Sequence, residues 1–403
     1  MRRDSYSVAG GPRPSAHARR HFLRIAAGLP VGVAAGWLAN SCAPETSPGP
    51  MPTEGAPPRL VPAGSGILAP KVNGAINVHP LRCWGCAPRD ETIDPALIAL
   101  QMSAAYELGF DGIRVSAPLN DRNTFLATIA YVRTARALGI DALVLLADFG
   151  GFTLARALAD DQRRESVLRM YADIFQPAPD PVLPDMGSGG PKGTGRIAFQ
   201  ILNEPAGVLN LPPDVYVHEV LTPCYVALKQ ISKSIIVVSA AEVGIKIGVP
   251  RIRAMLEAGL ESTTDRVAYH IYSRDIIPLL PADVRAVVWV TESNTADGTA
   301  GQLPWVRDVF PEIRAHMGDV TRIFFYDLFD TTAGAYRILD IQPEGDGFGA
   351  VVESTALHAY WTDRVQTAAA GARIVDFATL VPDIRKYFPT AADVLALDSV
   401  LNA

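Results

Sequence analysis

Two glutamates stand where apolar, strand-like runs of the sequence end. Glu204 lies in Leu202-Asn203-Glu204-Pro205, and Glu292 lies in Thr291-Glu292-Ser293-Asn294. Two carboxyl groups can cleave a glycosidic bond when one donates a proton to the leaving oxygen and the other, ionised, attacks or stabilises the anomeric carbon. Taken singly neither is specific, because a Glu before Pro often only begins a helix and Glu292 could be an exposed loop acid. Together they are candidates for an acid/base, Glu204, and a nucleophile, Glu292.

Further polar side chains stand at the ends of other strand-like runs. Asn203, beside Glu204, is suited to donate to a sugar 2-hydroxyl, a contact that strengthens in the transition state. His270 alone could be a satisfied histidine on an apolar strand, and Arg114 could simply pair with a nearby acid. The remaining residues at these ends are Asn77, His79, Ser116, Asp148, Glu242, Tyr272, Asn294, Tyr326 and Asp327.

The elements that must position these residues alternate regularly from residue 72 onward. A short β-branched run, a loop with polar residues and a longer segment of helical spacing follow one another, which is typical of βα units and a parallel sheet. Eight such runs are present, the number that closes an α/β, (β/α)8 TIM barrel. The predicted strands are Gly74–Val78, Gly112–Ser116, Ala142–Leu146, Ile197–Leu202, Ile235–Ser239, Val267–Ile271, Val287–Thr291 and Arg322–Tyr326.

The helical segments fall between these strands. The crossover between Ile271 and Val287 is short and poorly helical, and Gln176–Gly195, rich in Pro and Gly, is predicted to be a surface loop. After the eighth strand, Glu353–Ala368 is predicted to close the barrel. The other predicted helices are Asp94–Leu108, Thr124–Leu138, Thr153–Phe175, Asp214–Ser232, Pro250–Ala258 and Gly301–Met317.

In a barrel of this kind catalytic groups lie at the C-terminal ends of strands, and strands four and seven face each other across the mouth. On residues 72–365 the sequence resembles glycoside hydrolase clan A, nearest to families 5 and 39. The motifs that carry the resemblance are Leu202-Asn203-Glu204-Pro205, Tyr269-His270-Ile271-Tyr272, Thr291-Glu292-Ser293-Asn294 and Phe324-Phe325-Tyr326-Asp327.

The resemblance implies roles for individual residues. Glu204 would be the acid/base and Glu292 the nucleophile of a retaining enzyme. Tyr272 would lie near the nucleophile, His270 in the sugar subsite, and Arg114 would support the nucleophile. Two departures affect the substrate: Phe325 and Tyr326 stand where many members have a tryptophan, and Asp148-Phe149 stands where family 5 often has a histidine.

The first forty residues have the order of an export signal. Arg19-Arg20-His21-Phe22-Leu23-Arg24 precedes the apolar run Ile25–Leu38, an order that resembles a twin-arginine leader. Fourteen apolar residues are fewer than the roughly 20 that span a bilayer. Cys42 closes a sequence resembling a lipoprotein cleavage site. We expect an exported protein that is periplasmic, secreted or attached to the cell surface. Its membrane contact would be a lipid on Cys42, and the sequence leaves open whether this cysteine is lipidated.

The predicted organisation is therefore a single folded domain with a C-terminal extension. Residues 1–42 form the signal, 43–70 a Pro-rich linker, 71–368 the barrel and 369–403 a tail packed on it. In the folded part Cys83, Cys86 and Cys224 allow at most one disulfide, and the C-x-x-C pair lacks the second pair that a structural metal site needs.

Composition limits the partners. A formal net charge of −6 argues against a nucleic-acid partner, because phosphate binding needs a basic surface. We expect no cofactor, no metal and a monomer, with a poly- or oligosaccharide as substrate and β-glycosidic bonds cleaved by double displacement. The alternatives that remain open are a non-catalytic carbohydrate-binding barrel and a transglycosylase. A metal-dependent hydrolase is disfavoured, because only His79 and His270 lie at strand ends.

Overall fold

The computed structural model describes most of the chain from residue 74 onward. Outside the described residues lie the predicted leader with Cys42, the linker, the Cys83/Cys86 pair and the predicted closing helix Glu353–Ala368. Most of the predicted loop Gln176–Gly195 lies outside them as well. The described residues are 74–80, 95–107, 110–148, 153–177, 195–205, 209–295, 297–317, 320–328, 336–344, 347–352, 373–374 and 384–402.

Eight parallel strands form a closed barrel in which each strand pairs with the next and the eighth pairs with the first. The predicted α/β barrel is thus confirmed, and each predicted strand matches an observed one with bounds that differ by at most two residues. The strands are β1 (Gly74–Asn77), β2 (Gly112–Ser116), β3 (Asp141–Leu146), β4 (Ile197–Ile201), β5 (Ile236–Val238), β6 (Arg266–Ile271), β7 (Val287–Ser293) and β8 (Val320–Phe325).

Helical segments connect the strands, and one of the predicted helices is divided in two. The segment predicted as one helix over Thr153–Phe175 is two, because the Asp160 carboxylate accepts hydrogen bonds from the backbone N–H groups of Gln162 (2.8 Å) and Arg163 (3.2 Å) and so starts a new helix. The helical segments are Pro95–Glu107, Arg122–Ala137, Thr153–Ala159, Asp161–Phe175, Pro213–Val215, Tyr216–Leu221, Thr222–Ile231, Gly244–Gly248, Val249–Glu257, Leu260–Ser262, Arg274–Leu279, Thr299–Pro304, Trp305–Val309, Phe310–Met317, Ile384–Tyr387 and Ala391–Leu401.

Alternation along the strands divides the apolar residues into two cores. One set packs outward between the strands and the surrounding helices, and the other fills the barrel. Inside, the large rings of Trp289 and Phe324 pack 5.8 Å apart and meet mostly small residues. The inner core contains Ala75, Leu143, Ala198, Val238, Ala241, Ala268, Trp289 and Phe324.

An ionic layer lies beneath this inner core, at the N-terminal end of the barrel. The Arg322 guanidinium lies over the Trp289 ring at 5.4 Å. Its Nη2 is 3.0 Å from Asp141 Oδ2, and its Nε is 3.6 Å from Asp111 Oδ1. Burial raises the pKa of Asp111 to about 6, against the lowering effect of the Arg322 charge. This end of the barrel is therefore closed by buried charges.

The chain beyond β8 contains strands that the sequence pattern did not reveal. Leu339–Glu344 (β9), Gly347–Val352 (β10) and Arg373–Ile374 (β11) form a separate antiparallel sheet in the order β11-β10-β9. Their alternation is weak, since Asp, Gln, Pro, Glu and two glycines interrupt the apolar residues.

The last helix, Ala391–Leu401, contacts the outside of the barrel. It begins with a capping box between Thr390 and Asp393. Arg133, on the helix after β2, donates to both oxygens of Asp393 at 2.8 Å, and Arg122 Nε donates to Asp398 at 2.9 Å. The predicted boundaries of linker, barrel and tail remain predictions. In the described part of the chain, no helix is both long and apolar enough to cross a membrane.

Candidate active site

A break in strand alternation directs the residues after β4 toward the mouth. Ala198 and Gln200 face the barrel interior, so strict alternation would put Leu202 there as well. Leu202 instead has φ +65° and packs in the outer core. Glu204 also has a positive φ, +40°, and its N–H donates to Ala241 O at 3.1 Å. Such backbone costs about 1–3 kcal/mol for a residue other than glycine and is concentrated at functional sites.

A second irregularity turns Glu292 inward. Trp289 faces the interior and Val290 the outer core, so plain alternation would point Glu292 outward. The register between β6 and β7 shifts by one residue, with Tyr269 opposite Val290 and His270 opposite Glu292. This bulge places the glutamate above the inner core, which is a common use of bulges beside functional sites.

The two glutamates converge on one histidine. His270 Nδ1 lies 2.8 Å from Glu204 Oε1, and His270 Nε2 lies 3.4 Å from Glu292 Oε1. One carboxylate oxygen of each glutamate and one His270 nitrogen lie within 4.8 Å of one another. His270 is fully buried, whereas 21 % of the Glu204 side chain and 9 % of the Glu292 side chain are exposed. The site therefore has an open side at Glu204 and a buried floor at Glu292.

Arg114 connects Glu292 to three other barrel residues. Its Nη1 donates to Glu292 Oε1 (2.7 Å) and to Asn77 Oδ1 (2.8 Å). Its Nη2 donates to Asn203 Oδ1 and its Nε to Gln200 Oε1, both at 2.8 Å. Since a guanidinium only donates, these contacts fix both the plane of the Arg114 guanidinium and the orientation of the three amide groups.

Tyr272 binds the other oxygen of the buried carboxylate. Its hydroxyl donates to Glu292 Oε2 at 2.7 Å. Burial alone would raise the pKa of this carboxyl group, but the charges of His270 and Arg114 and the hydrogen bond from Tyr272 outweigh it and lower the pKa. Burial, and then the Glu292 charge, raise the pKa of Tyr272 well above its ordinary value, so its proton stays in place as a donor.

Tyr326 belongs to an aromatic cluster beside Glu292. The rings of Tyr272, Tyr326 and Tyr336 form a triangle with centroids 5.8–5.9 Å apart, each pair edge to face. His79 contacts Tyr326 edge to face at 5.6 Å, and its Nε2 lies 3.1 Å from Asp327 Oδ2. Burial lowers the pKa of His79, but Asp327 and Glu292 outweigh burial and raise it.

Other residues that the sequence placed on this face have structural contacts. The Asp148 carboxylate accepts from the backbone N–H groups of Leu119 (2.9 Å) and Leu154 (2.6 Å), so it joins two loops. Trp305 is buried in the outer core, and its indole N–H donates to Ser293 Oγ at 3.0 Å, so its ring packs within the protein. Glu242 is buried after β5.

Glu204, His270 and Glu292 are also the group of described residues that is compact enough to surround a cation. The Arg114 guanidinium, 2.7 Å from Glu292 Oε1, already supplies the positive charge there. A second cation beside it would be repelled, so the arrangement favours paired carboxyl chemistry over metal binding.

The structure brings all seven predicted site residues into one network and adds residues that were missed. Gln200 lies in β4, where a polar side chain at an inward position of an apolar strand was a readable signal. Asn77 was noted only as a strand-end residue. Tyr336 had no signal, because it follows β8 by ten residues in a loop with no motif.

Comparison with known proteins gives similarity of fold at low sequence identity. No protein-family model matches the chain, and no curated protein matches it either. Similar solved structures include an endo-1,4-beta-mannanase from Rhizomucor miehei, with 14 % identity over 74 % of this chain and 94 % of that one and a TM-score of 0.47. The catalytic domain of the major endoglucanase from Xanthomonas campestris pv. campestris shares 12 % identity over 72 % of this chain and 94 % of that one, with a TM-score of 0.44.

A third similar structure is the catalytic domain of GH30 xylanase C from Talaromyces cellulolyticus, with 13 % identity over 73 % of this chain and 75 % of that one and a TM-score of 0.45. These structural neighbours are glycoside hydrolases. At such identity the function must be argued from the contacts of the site itself.

Proposed function

We propose that the protein is a retaining glycoside hydrolase that cleaves β-glycosidic bonds of a carbohydrate, with Glu204 as acid/base and Glu292 as nucleophile. The observation that supports this most directly is the pair of carboxylates from facing strands, which approach within 4.8 Å at one oxygen each. Retaining enzymes hold the two carboxyl groups roughly 5–5.5 Å apart, whereas inverting enzymes separate them by about 6.5–9.5 Å to admit a water.

The two glutamates have environments suited to different tasks. Glu292 is buried, its pKa is lowered, and Arg114 and Tyr272 each hold one of its oxygens. In the first step its carboxylate attacks the anomeric carbon, the bond to the leaving oxygen breaks, and Glu204 gives that oxygen a proton. In the second step Glu204 takes a proton from water, whose oxygen attacks the anomeric carbon and frees Glu292.

We propose that Asn203 binds the sugar 2-hydroxyl. Its oxygen accepts from Arg114, which leaves its amide N–H groups as the donors for a sugar hydroxyl. His270 contacts both carboxylates from a fully buried position. We propose that it keeps the two groups in register, while Tyr326 forms part of the wall of the first sugar subsite.

The test is a screen of aryl β-glycosides with the wild type, Glu292→Gln and Glu204→Gln. We expect Glu292→Gln to lose activity by about 10⁴-fold or more. Glu204→Gln should lose less on substrates with a good leaving group, because these need no protonation. Activity that survives both substitutions would rule the proposal out. The anomer first released, read by NMR, tests retention, and sugar acceptors test for transglycosylation.

A further inference from the structure

The segment after β5 is an exposed apolar protrusion on the catalytic face. Val243, Ile245 and Ile247 are 38 %, 39 % and 46 % exposed, and only Lys246 brings a charge among them. Single exposed aliphatic side chains are ordinary on a protein surface. Three within five residues form a patch, and patches of this kind mark contact sites.

The protrusion is held in a defined shape. A Cβ atom on Gly248 would lie 2.6 Å from the Val243 carbonyl oxygen, so the chain folds back tightly on itself there. The segment Arg274–Leu279 after β6 lies against it and exposes Leu279. Arg253 Nη2 donates to the Leu279 carbonyl at 2.9 Å and fixes this second segment. We name the side chains of Val243, Ile245, Ile247 and Leu279 the apolar rim.

The apolar rim continues from the acid/base. Glu204 N–H is bonded to the Ala241 carbonyl, two residues before Val243. Glu204 is the more exposed of the two glutamates and would protonate the leaving oxygen. As the proposed nucleophile, Glu292 places the sugar ring beside itself and its partner Arg114, which also binds Asn77, so the sugar end lies toward β7, β1 and β2. The leaving group therefore emerges on the side of β5 and β6, toward the rim.

The chemistry of the rim selects against a sugar as leaving group. A sugar brings hydroxyl groups that lose water on binding and need hydrogen-bond partners. Val, Ile and Leu side chains offer none, and Gly244–Gly248 and Arg274–Leu279 contain no aromatic residue on which a sugar face could stack. An alkyl or aryl group gains from burial against the same side chains.

We propose that the apolar rim is the leaving-group subsite and that the substrate is a glycoside of an apolar alcohol or phenol. This inference rests on the proposed function and narrows its substrate class. Glu204 protonates the leaving oxygen while the aliphatic side chains hold the apolar group that carries it.

The experiment compares methyl, n-butyl and n-octyl β-glycosides of whichever sugar the aryl screen identifies, since their leaving alcohols have similar acidity. We expect kcat/KM to rise with chain length, by up to about fourfold for each methylene that is buried. The variant Ile245→Ser/Ile247→Ser should lose most of that rise and keep its rate on the methyl glycoside. Val226→Ser is the matched control, because Val226 is equally exposed (47 %) on the outer helix Thr222–Ile231.

Each other outcome is decisive. Equal kcat/KM for methyl and octyl glycosides, or a preference for a disaccharide, overturns the inference; an aryl glycosidase activity that needs Glu292 then leaves the proposed function intact. If no glycoside is cleaved, the proposed function fails, and calorimetry with the octyl glycoside then tests the apolar rim. Binding that Ile245→Ser/Ile247→Ser weakens and Val226→Ser does not would support the rim as a site for apolar groups. Absence of binding would overturn the inference. A different result would assign the rim to a lipid surface instead. In that case the wild type sediments with anionic phospholipid vesicles, the double variant does not, and kcat/KM does not depend on the alkyl chain length of the glycoside.

Discussion

Each end of the barrel holds an arginine paired with a carboxylate, yet the two ends have different chemistry. At the N-terminal end Arg322 lies over Trp289 and reaches Asp141 and Asp111, which stand at the starts of neighbouring strands. The Asp141 carboxylate also accepts from the backbone N–H of Arg196 at 2.9 Å. These charged groups bind one another and the backbone, so this layer has the structural role of closing the barrel.

At the C-terminal end Arg114 also binds a buried carboxylate, but that carboxylate remains connected to a second one. Glu292 contacts Tyr272 and, through His270, approaches Glu204, which is partly exposed. The difference arises from the space around the strand ends. Loops leave the packed interior at the C-terminal end and leave room for a cleft, so the same ion pair can hold a reactive group instead of a structural one.

The difference between the two ends is tested most strongly by replacing each arginine in turn. Arg114→Met takes away a donor to Glu292, and we expect kcat/KM to fall by about 10²–10³-fold with a small change in the unfolding temperature. Arg322→Met leaves Asp141 and Asp111 buried without their partner and should lower the free energy of unfolding by about 3–5 kcal/mol, while kcat/KM of the folded enzyme is unchanged. Kinetics and thermal unfolding of both variants measure this, and equal kinetic losses would contradict the distinction.

A finer change at the catalytic end is Tyr272→Phe. The pKa of Glu292 is lowered in part by this hydroxyl, so removing it should raise that pKa. As the proposed nucleophile, Glu292 must be ionised, so the acid limb of the kcat/KM profile should move to higher pH, with a loss of about 10–100-fold at the optimum. The pH profiles of wild type and variant test this, and an acid limb that stays in place would show that the hydrogen bond does not lower the pKa of Glu292.

The matching change at the other end is Asp111→Asn. The folded-state pKa of Asp111 is about 6, above the ordinary value, so the folded state binds more protons than the unfolded chain between about pH 4 and pH 6. Its contribution to stability is therefore present at low pH and is lost as the pH rises through 6, on the order of 3 kcal/mol in total. The free energy of unfolding, measured with denaturant between about pH 4 and pH 6, should fall with rising pH in the wild type, and Asp111→Asn should lack this dependence.

The smallest expected effect concerns Tyr336, whose ring packs on Tyr272 and Tyr326. Tyr336→Ala opens space beside Tyr272, and we expect kcat to fall by about tenfold with a smaller change in KM. Tyr336→Phe keeps the ring and should retain wild-type kinetics. If Phe is as damaging as Ala, the hydroxyl of Tyr336 has a role of its own.

Much of the fold and of the candidate site can be predicted from the sequence. Eight β-branched runs, separated by helical segments, identified the barrel, because burial on both faces of a parallel strand demands continuous apolar residues. Glu204 and Glu292 were found because polar residues at the ends of such runs stand out. The strands β9 to β11 were missed, because their short, glycine-interrupted segments gain their pairing only from one another.

Other features escaped because they depend on contacts between distant segments. The division of Thr153–Phe175 into two helices depended on which way the Asp160 side chain turns. Tyr336 joined the site through its packing against Tyr272, from a loop with no recognisable pattern.

The eight strands, their order and the two glutamates at the strand ends can be predicted from the sequence alone, since they follow from local apolar periodicity and from the residues at which it stops. The direction in which the two carboxylates point depends instead on contacts between strands. Alternation alone would turn Glu292 away from the interior, and the bulge opposite Tyr269 and His270 reverses it. The left-handed backbone at Leu202 and Glu204 does the same on the facing strand. Both depend on pairing between neighbouring strands, which no single stretch of sequence specifies.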